Sequence, residues 1–257
     1  MKLYAGIICT VKYGDNIKIV FTYIIILQKL NYRQMKKIIA IGFLFMLAKV
    51  GMAQTREVGP FAKVEVTDKI NVELINSSTY KVVISGNPSN EVDVIQKNGT
   101  LRLKMNTLNM MNGEGIHIKV YGNNISELTA KKGAIVKANE EEILSSNILN
   151  LSASEGGLLS LKVSGQEIKV SASKGGTVQA SGKTPRQEVQ LTFGGNYDGR
   201  SLVSENAKVT VNGGGRCEVN VKQTIDSQVR AGGIIHVYGN PAQRNEKKLA
   251  GGTIEYK

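Results

Sequence analysis

An all-β parallel solenoid is the fold this 257-residue sequence predicts, on three observations. Paired glycines recur at Gly156-Gly157, Gly175-Gly176, Gly194-Gly195, Gly213-Gly214, Gly232-Gly233 and Gly251-Gly252, each pair 19 residues after the last. After each pair, apolar residues fall in two columns two residues apart: Leu159, Val178, Tyr197, Cys217, Ile235, Ile254, and Leu161, Ala180, Gly199, Val219, Val237, Tyr256. Before the pairs a second alternating run appears, Leu149, Leu151, Ala153, then Ile168, Val170, Ala172, then Val189, Leu191, then Val209, Val211. A fixed period near 20 residues marks a chain that stacks coil on coil, and a spacing of two is strand periodicity. Each coil thus carries at least two short strands. A leucine-rich repeat needs an L-x-x-L-x-L-x-x-N pattern that is missing, helical repeats need longer units, and a β-sandwich with glycine hairpins would not keep so strict an interval.

Taken in chain order, the first 53 residues read as processing. From Met35 the chain runs MKKIIAIGFLFMLAKVGMAQ, a basic start, an apolar stretch and Gly51-x-Ala53 before Gln54, which is the pattern of a signal peptide over 35–53. Residues 1–34 then read as an upstream extension, with Met35 the true start and Gln54 the first mature residue. The apolar patch Ile19–Leu27 is too short to span a bilayer, so no integral membrane segment is expected after signal cleavage. Residues 54–257 read as a single solenoid domain. Within 57–148, FAKVEV, INVELI, YKVVIS, EVDVIQ, TLRLKM and IHIKVY are strand candidates without the 19-residue beat. They are expected either as irregular first coils or as a separate sheet, and in both cases as the cap that a solenoid end requires. Residues 149–257 form the regular coils. In VTVNGGGRCEV both columns sit one residue late, and Gly215 is read as the extra position. The polar run Arg244–Lys248 decorates the last partial coil, where charge discourages end-to-end pairing.

Composition excludes several functions. The chain carries a formal net charge of +12, but eight basic residues and one acidic residue lie in the leader, leaving 25 basic and 20 acidic residues and a charge near +5. These are scattered among one another without aromatic interleaving, so nucleic acid is not expected as a partner. Of two cysteines, Cys9 lies in the leader, and Cys217 in the inward column reads as a buried small hydrophobe. The two histidines, His117 and His236, alternate with apolar neighbours and so point outward, without ligand spacing for a metal. Counted from the glycine pairs, Asp198, Glu218 and Asp226 fall in different phases, so no carboxylate column for acid chemistry or calcium is expected, and no cofactor. GGNYD at 194–198 lacks the glycine of the calcium-binding nonapeptide, and Asn212–Arg216 lacks the helix of a phosphate loop. The candidate ligand-binding residues are two outward aromatics, Phe193 at a glycine corner and Tyr238 beyond Val237.

Phe61-x-x-Val64-x-Val66, Ile70-x-Val72-x-Leu74, Gly99-Thr100-Leu101-Arg102-Leu103 and the repeated Ser-Ala-Ser-x-Gly-Gly at 152–157 and 171–176 resemble the bacterial exported proteins described as putative auto-transporter adhesin, head GIN domain. The resemblance covers roughly residues 57–240. It implies a right-handed β-helix in the envelope, at the cell surface or outside the cell, and brings no catalytic residues with it. The expected function is a non-enzymatic, adhesin-like surface-interaction module for an envelope polymer, glycan or surface protein. The alternative is a carbohydrate-binding or polysaccharide lyase-like β-helix, since fold alone does not choose between them.

Overall fold

The structure, a computed structural model, describes residues 54–87, 91–139 and 141–257. The readings of 1–34 as an extension and of 35–53 as a signal peptide lie outside these residues.

The early strand candidates all form, as β2 (Lys63–Val66), β3 (Asn71–Asn76), β4 (Lys81–Gly86), β5 (Val92–Lys97), β6 (Thr100–Met105) and β7 (Ile116–Gly122), preceded by β1 (Gln54–Glu57). There follow β8 (Glu127–Lys131), β9 (Ile135–Ala138), β10 (Ile143–Ser145), β11 (Ile148–Ser154), β12 (Leu158–Ser164) and β13 (Glu167–Ser173). The remaining strands are β14 (Thr177–Thr192), β15 (Asn196–Asn212), β16 (Arg216–Arg230), β17 (Ile234–Tyr238), β18 (Gln243–Leu249) and β19 (Thr253–Tyr256). Two parallel ladders face each other across the core. Strands after the glycine corners make a front wall and strands before them a back wall. In the regular coils β11, β13 and the C-terminal halves of β14, β15 and β16 stack in the back wall, with β18 at its end. In front, β12, β14, β15, β16, β17 and β19 stack in the same way.

Strand order in space departs from chain order at the start. β2 and β3 lie between β6 and β7 on one side and β8 and β9 on the other, all parallel. Beyond β6 and β7 the parallel stack stops, because β5 and β4 run antiparallel to them and β1 runs antiparallel to β4. Reversal of direction takes up the open ladder edge, which would otherwise template another chain. At the far end, the inward register positions of β18 hold Arg244, Glu246 and Lys248, opposite Ile225, Ser227 and Val229. The Arg244 guanidinium lies 4.0 Å over the Tyr256 ring, so charge and an aromatic face cover the last apolar layer.

The predicted columns form the core. Leu159, Val178, Tyr197, Cys217 and Ile235 are stacked partners and all are buried. Burial pushes the Cys217 thiol well above the usual range, with Glu218 adding to the effect, so it stays protonated.

Glycine has two different jobs at the corner. Lys174 and Gly175 both take left-handed backbone (φ 48° and 74°), as do the equivalent residues of other coils. Gly176 has no positive φ. There the requirement is space, because a Cβ would be driven into the carbonyl oxygen of Ala153 in the coil below. The extra residue of the late coil is not Gly215. Gln179 pairs with Asp198 but Ser181 pairs with Ser201, so the slip lies at Gly199 and Arg200, one coil earlier. Gly214 and Gly215 are the corner pair there, and Gly213 takes the place held by Phe193. Gly199 is where an insertion fits, since a Cβ there would strike the buried Tyr197 ring.

Candidate functional site

Strand register fixes what the front wall displays. One outward column runs in unbroken register through Lys119, Glu73, Lys137, Ser160, Gln179, Asp198, Glu218, His236 and Glu255. The expectation that Asp198 and Glu218 fall out of phase is therefore corrected, because counting from Gly213-Gly214 displaced the phase by one residue. Asp226 does lie elsewhere, on the back wall opposite Lys208.

The C-terminal half of this column is an ionic ladder. The Arg200 guanidinium donates to both oxygens of Asp198, at 3.2 and 2.9 Å, and reaches Glu218 Oε2 at 2.7 Å. Those hydrogen bonds outweigh partial burial and hold the Asp198 carboxyl below the ordinary carboxylate range. The Glu218 side chain is only 10% exposed and also has Arg216 at 3.8 Å. His236, 12% exposed, is wedged between Glu218 (3.5 Å) and Glu255 (3.4 Å), so it points outward as expected without being a free surface histidine. Lys257, 2.7 Å from Glu255, lowers that carboxyl in turn. Each acid in the ladder thus has a cation facing it. Among the described residues, no group of three or more His, Cys, Asp or Glu side chains is placed to hold a metal.

Three shallow grooves score the front wall. One, about 610 Å³, is lined by Glu73, His117, Lys119 and Lys137. The next, about 510 Å³, lies over Ser160, Lys162, Gln179, Ser181 and Asp198. The third, about 620 Å³, turns the corner at Ser145, Ser164, Lys183 and Thr184. Ala138 and Asn139 line both of the first two, which therefore adjoin.

The two outward aromatics do not come together into one site. Tyr238 belongs to the front wall, beside Asn220 and two residues beyond His236. Phe193 stands at the glycine edge, 72% exposed at φ 49°, with its ring alongside Gly213 of the next coil. Leu108, Met110 and Met111 are also exposed, on the long loop that joins β6 to β7.

Beneath the wall lies a polar group that the column pattern did not single out. Gln187 is fully buried, donates from Nε2 to Ser204 Oγ at 2.7 Å and accepts from the Tyr197 hydroxyl at 3.2 Å. Ser204 in turn donates to the Asn220 carbonyl at 3.1 Å. Gln187 stands between Ile168 and Ala207 in its column, and the Tyr197 phenol ten residues on was the available signal, since a buried hydroxyl needs a partner.

A parallel β-solenoid with a long polar wall, ion-paired along its C-terminal half, defines a class of display scaffold, one that offers extended contact in place of a single cavity. A family model described as putative auto-transporter adhesin, head GIN domain, matches residues 60–241, and the chain belongs to that family. Among solved structures it is similar to a putative adhesin from Bacteroides fragilis, at 20% identity and a TM-score of 0.74, covering 80% of this chain and 96% of that one. It is also similar to a putative lipid binding protein from Parabacteroides distasonis (15% identity, TM-score 0.61, 81% and 98% covered). A putative adhesin from Parabacteroides merdae follows (16% identity, TM-score 0.59, 80% and 95% covered). These likenesses are of fold. The comparison with curated proteins finds no match.

Proposed function

We infer that the protein is a non-enzymatic, exported, adhesin-like module that holds an envelope polymer, glycan or surface protein along its front wall. The observation that carries this reading is the outward column in continuous register from Lys119 to Glu255, which runs past open grooves and offers many weak polar contacts in line. Contacts of that kind add up along an extended ligand. Export is supported by the leader pattern, and a surface role by the family description. One structural neighbour bears a lipid-binding description, but at 15% identity it speaks only to fold.

The ionic ladder is the specific observation that favours a second, carbohydrate-active reading. A stacked Asp198, Glu218 and His236 is the sort of cluster that acid–base chemistry uses. Against it, Asp198 is chelated by Arg200 and Glu218 is nearly buried and already paired, so both carboxylates are engaged by cations of the wall itself. The test is a binding screen of glycans and envelope polymers on the purified chain, with the supernatant assayed for released fragments. Retention of a polymer without products is expected. Tyr238→Ala and Phe193→Ala should each weaken retention by less than about fivefold, as single contacts in a distributed interface do. Turnover abolished by His236→Ala or Glu218→Gln would instead establish an enzyme.

A further inference from the structure

Each groove of the front wall holds one lysine that has no ion-pair partner among the described residues: Lys137, Lys162 and Lys183. Neighbouring cations behave differently. Lys119 pairs with Glu73 at 3.4 Å and Lys222 with Glu205 at 3.8 Å. All three unpaired lysines are exposed.

Their placement follows from register. Lys137 stands opposite Ser160, two residues before Lys162, and Lys183 stands opposite Ser164, two residues after Lys162. Moving up one coil therefore moves the charge two residues along the strand. With strands about 4.8 Å apart and a rise of about 3.3 Å per residue, successive ammonium groups root roughly 8 Å apart on a straight oblique line. Between them the wall presents hydroxyls and an amide, from Ser160, Ser181, Ser164 and Gln179.

Building on the wall-binding reading above, we propose that this diagonal is the binding track of an anionic polysaccharide, which crosses the coils obliquely with its acidic groups on Lys137, Lys162 and Lys183. Unpaired ammonium groups on flexible stems suit a ligand that brings its own counter-charge. The serines between them suit sugar hydroxyls. A nucleic acid would supply the same charge, but the three grooves are lined by no Phe, Tyr or Trp on which successive bases could stack, and His117 is their single aromatic ring.

The experiment measures binding of the full chain to polygalacturonate, to neutral dextran and to single-stranded DNA, at low and at physiological salt. Polygalacturonate should bind, and weaken as salt rises, because exposed charges are screened beyond about one Debye length of 8–10 Å. Lys162→Glu should weaken it about tenfold and the double variant Lys162→Glu, Lys183→Glu by about fiftyfold or more, by analogy with interfacial charge reversal. Lys97→Glu, the same change of charge at the C-terminal end of β5, should leave binding within twofold of the parent. The proposal is overturned if polygalacturonate is not retained, if the double variant binds like the parent, if Lys97→Glu weakens binding as much, or if DNA binds as tightly. Dextran retained without polygalacturonate would sink the anionic track alone. Failure of every polymer in the wider screen would sink the wall-binding reading with it.

Discussion

Gly176→Ala is expected to destabilise the domain by about 3 kcal/mol or more, a cost in the range of severe backbone collisions. The added Cβ would enter the carbonyl oxygen of Ala153 and come within 2.7 Å of the Ser154 nitrogen. Both groups belong to β11, whose Ala153 pairs with Ala172 in β13, so the clash cannot be relieved by a rotamer change. Gly175→Ala makes the informative comparison. Its φ is 74° but nothing lies within 4 Å of the new Cβ, so only left-handed strain of about 1–2 kcal/mol is added. Lys174, a neighbour at φ 48°, already bears such strain. Urea denaturation of the two variants should therefore rank Gly176→Ala far below Gly175→Ala. Equal losses, or the reverse order, would contradict the division between space and φ at the corner.

Gln187→Leu should cost about 2–3 kcal/mol, since it leaves the Tyr197 hydroxyl buried without a partner and removes the donor to Ser204. Adding Tyr197→Phe should recover much of that loss. Once both polar groups are gone the site is apolar, and replacing both partners of a buried hydrogen bond is close to neutral. Ser204 keeps its bond to the Asn220 carbonyl in either variant. The double-mutant cycle is the measurement. Additive losses would mean that the two side chains are not coupled through their hydrogen bond.

Much of this architecture was legible before the structure. Repeated glycines and period-two columns specify coils and strands because both are local patterns, and Leu159, Cys217 and Ile235 stand where those patterns place them. Two features escaped that reading. The position of β2 and β3 between β6–β7 and β8–β9 depends on pairings distant in sequence, and alternating strands of similar composition are interchangeable in pattern. The ionic ladder follows from the apolar column itself, since Asp198, Glu218, His236 and Glu255 each come one residue after Tyr197, Cys217, Ile235 and Ile254. Three consecutive glycines at 213–215 allow two phases, and the register of β14 with β15 places the extra residue at Gly199 and Arg200, where a Cβ on Gly199 would strike the Tyr197 ring. A one-residue shift moves a side chain to the other face, so counting from Gly213-Gly214 instead of from the apolar column put Glu218 out of phase with Asp198.

Function on this fold rests on length. The front wall stacks nine parallel strands, β7, β3, β9, β12, β14, β15, β16, β17 and β19, which at about 4.8 Å per step span roughly 38 Å. Titration calorimetry with a length series of oligosaccharides, cut from whichever polymer the binding screen retains, tests distributed binding most directly. Affinity should climb steadily with oligomer length and level off only when the chain covers the wall, because each added sugar engages another coil. A disaccharide that binds as tightly as the polymer, or heat that signals cleavage of the longer oligomers, would contradict it and point to one concentrated site.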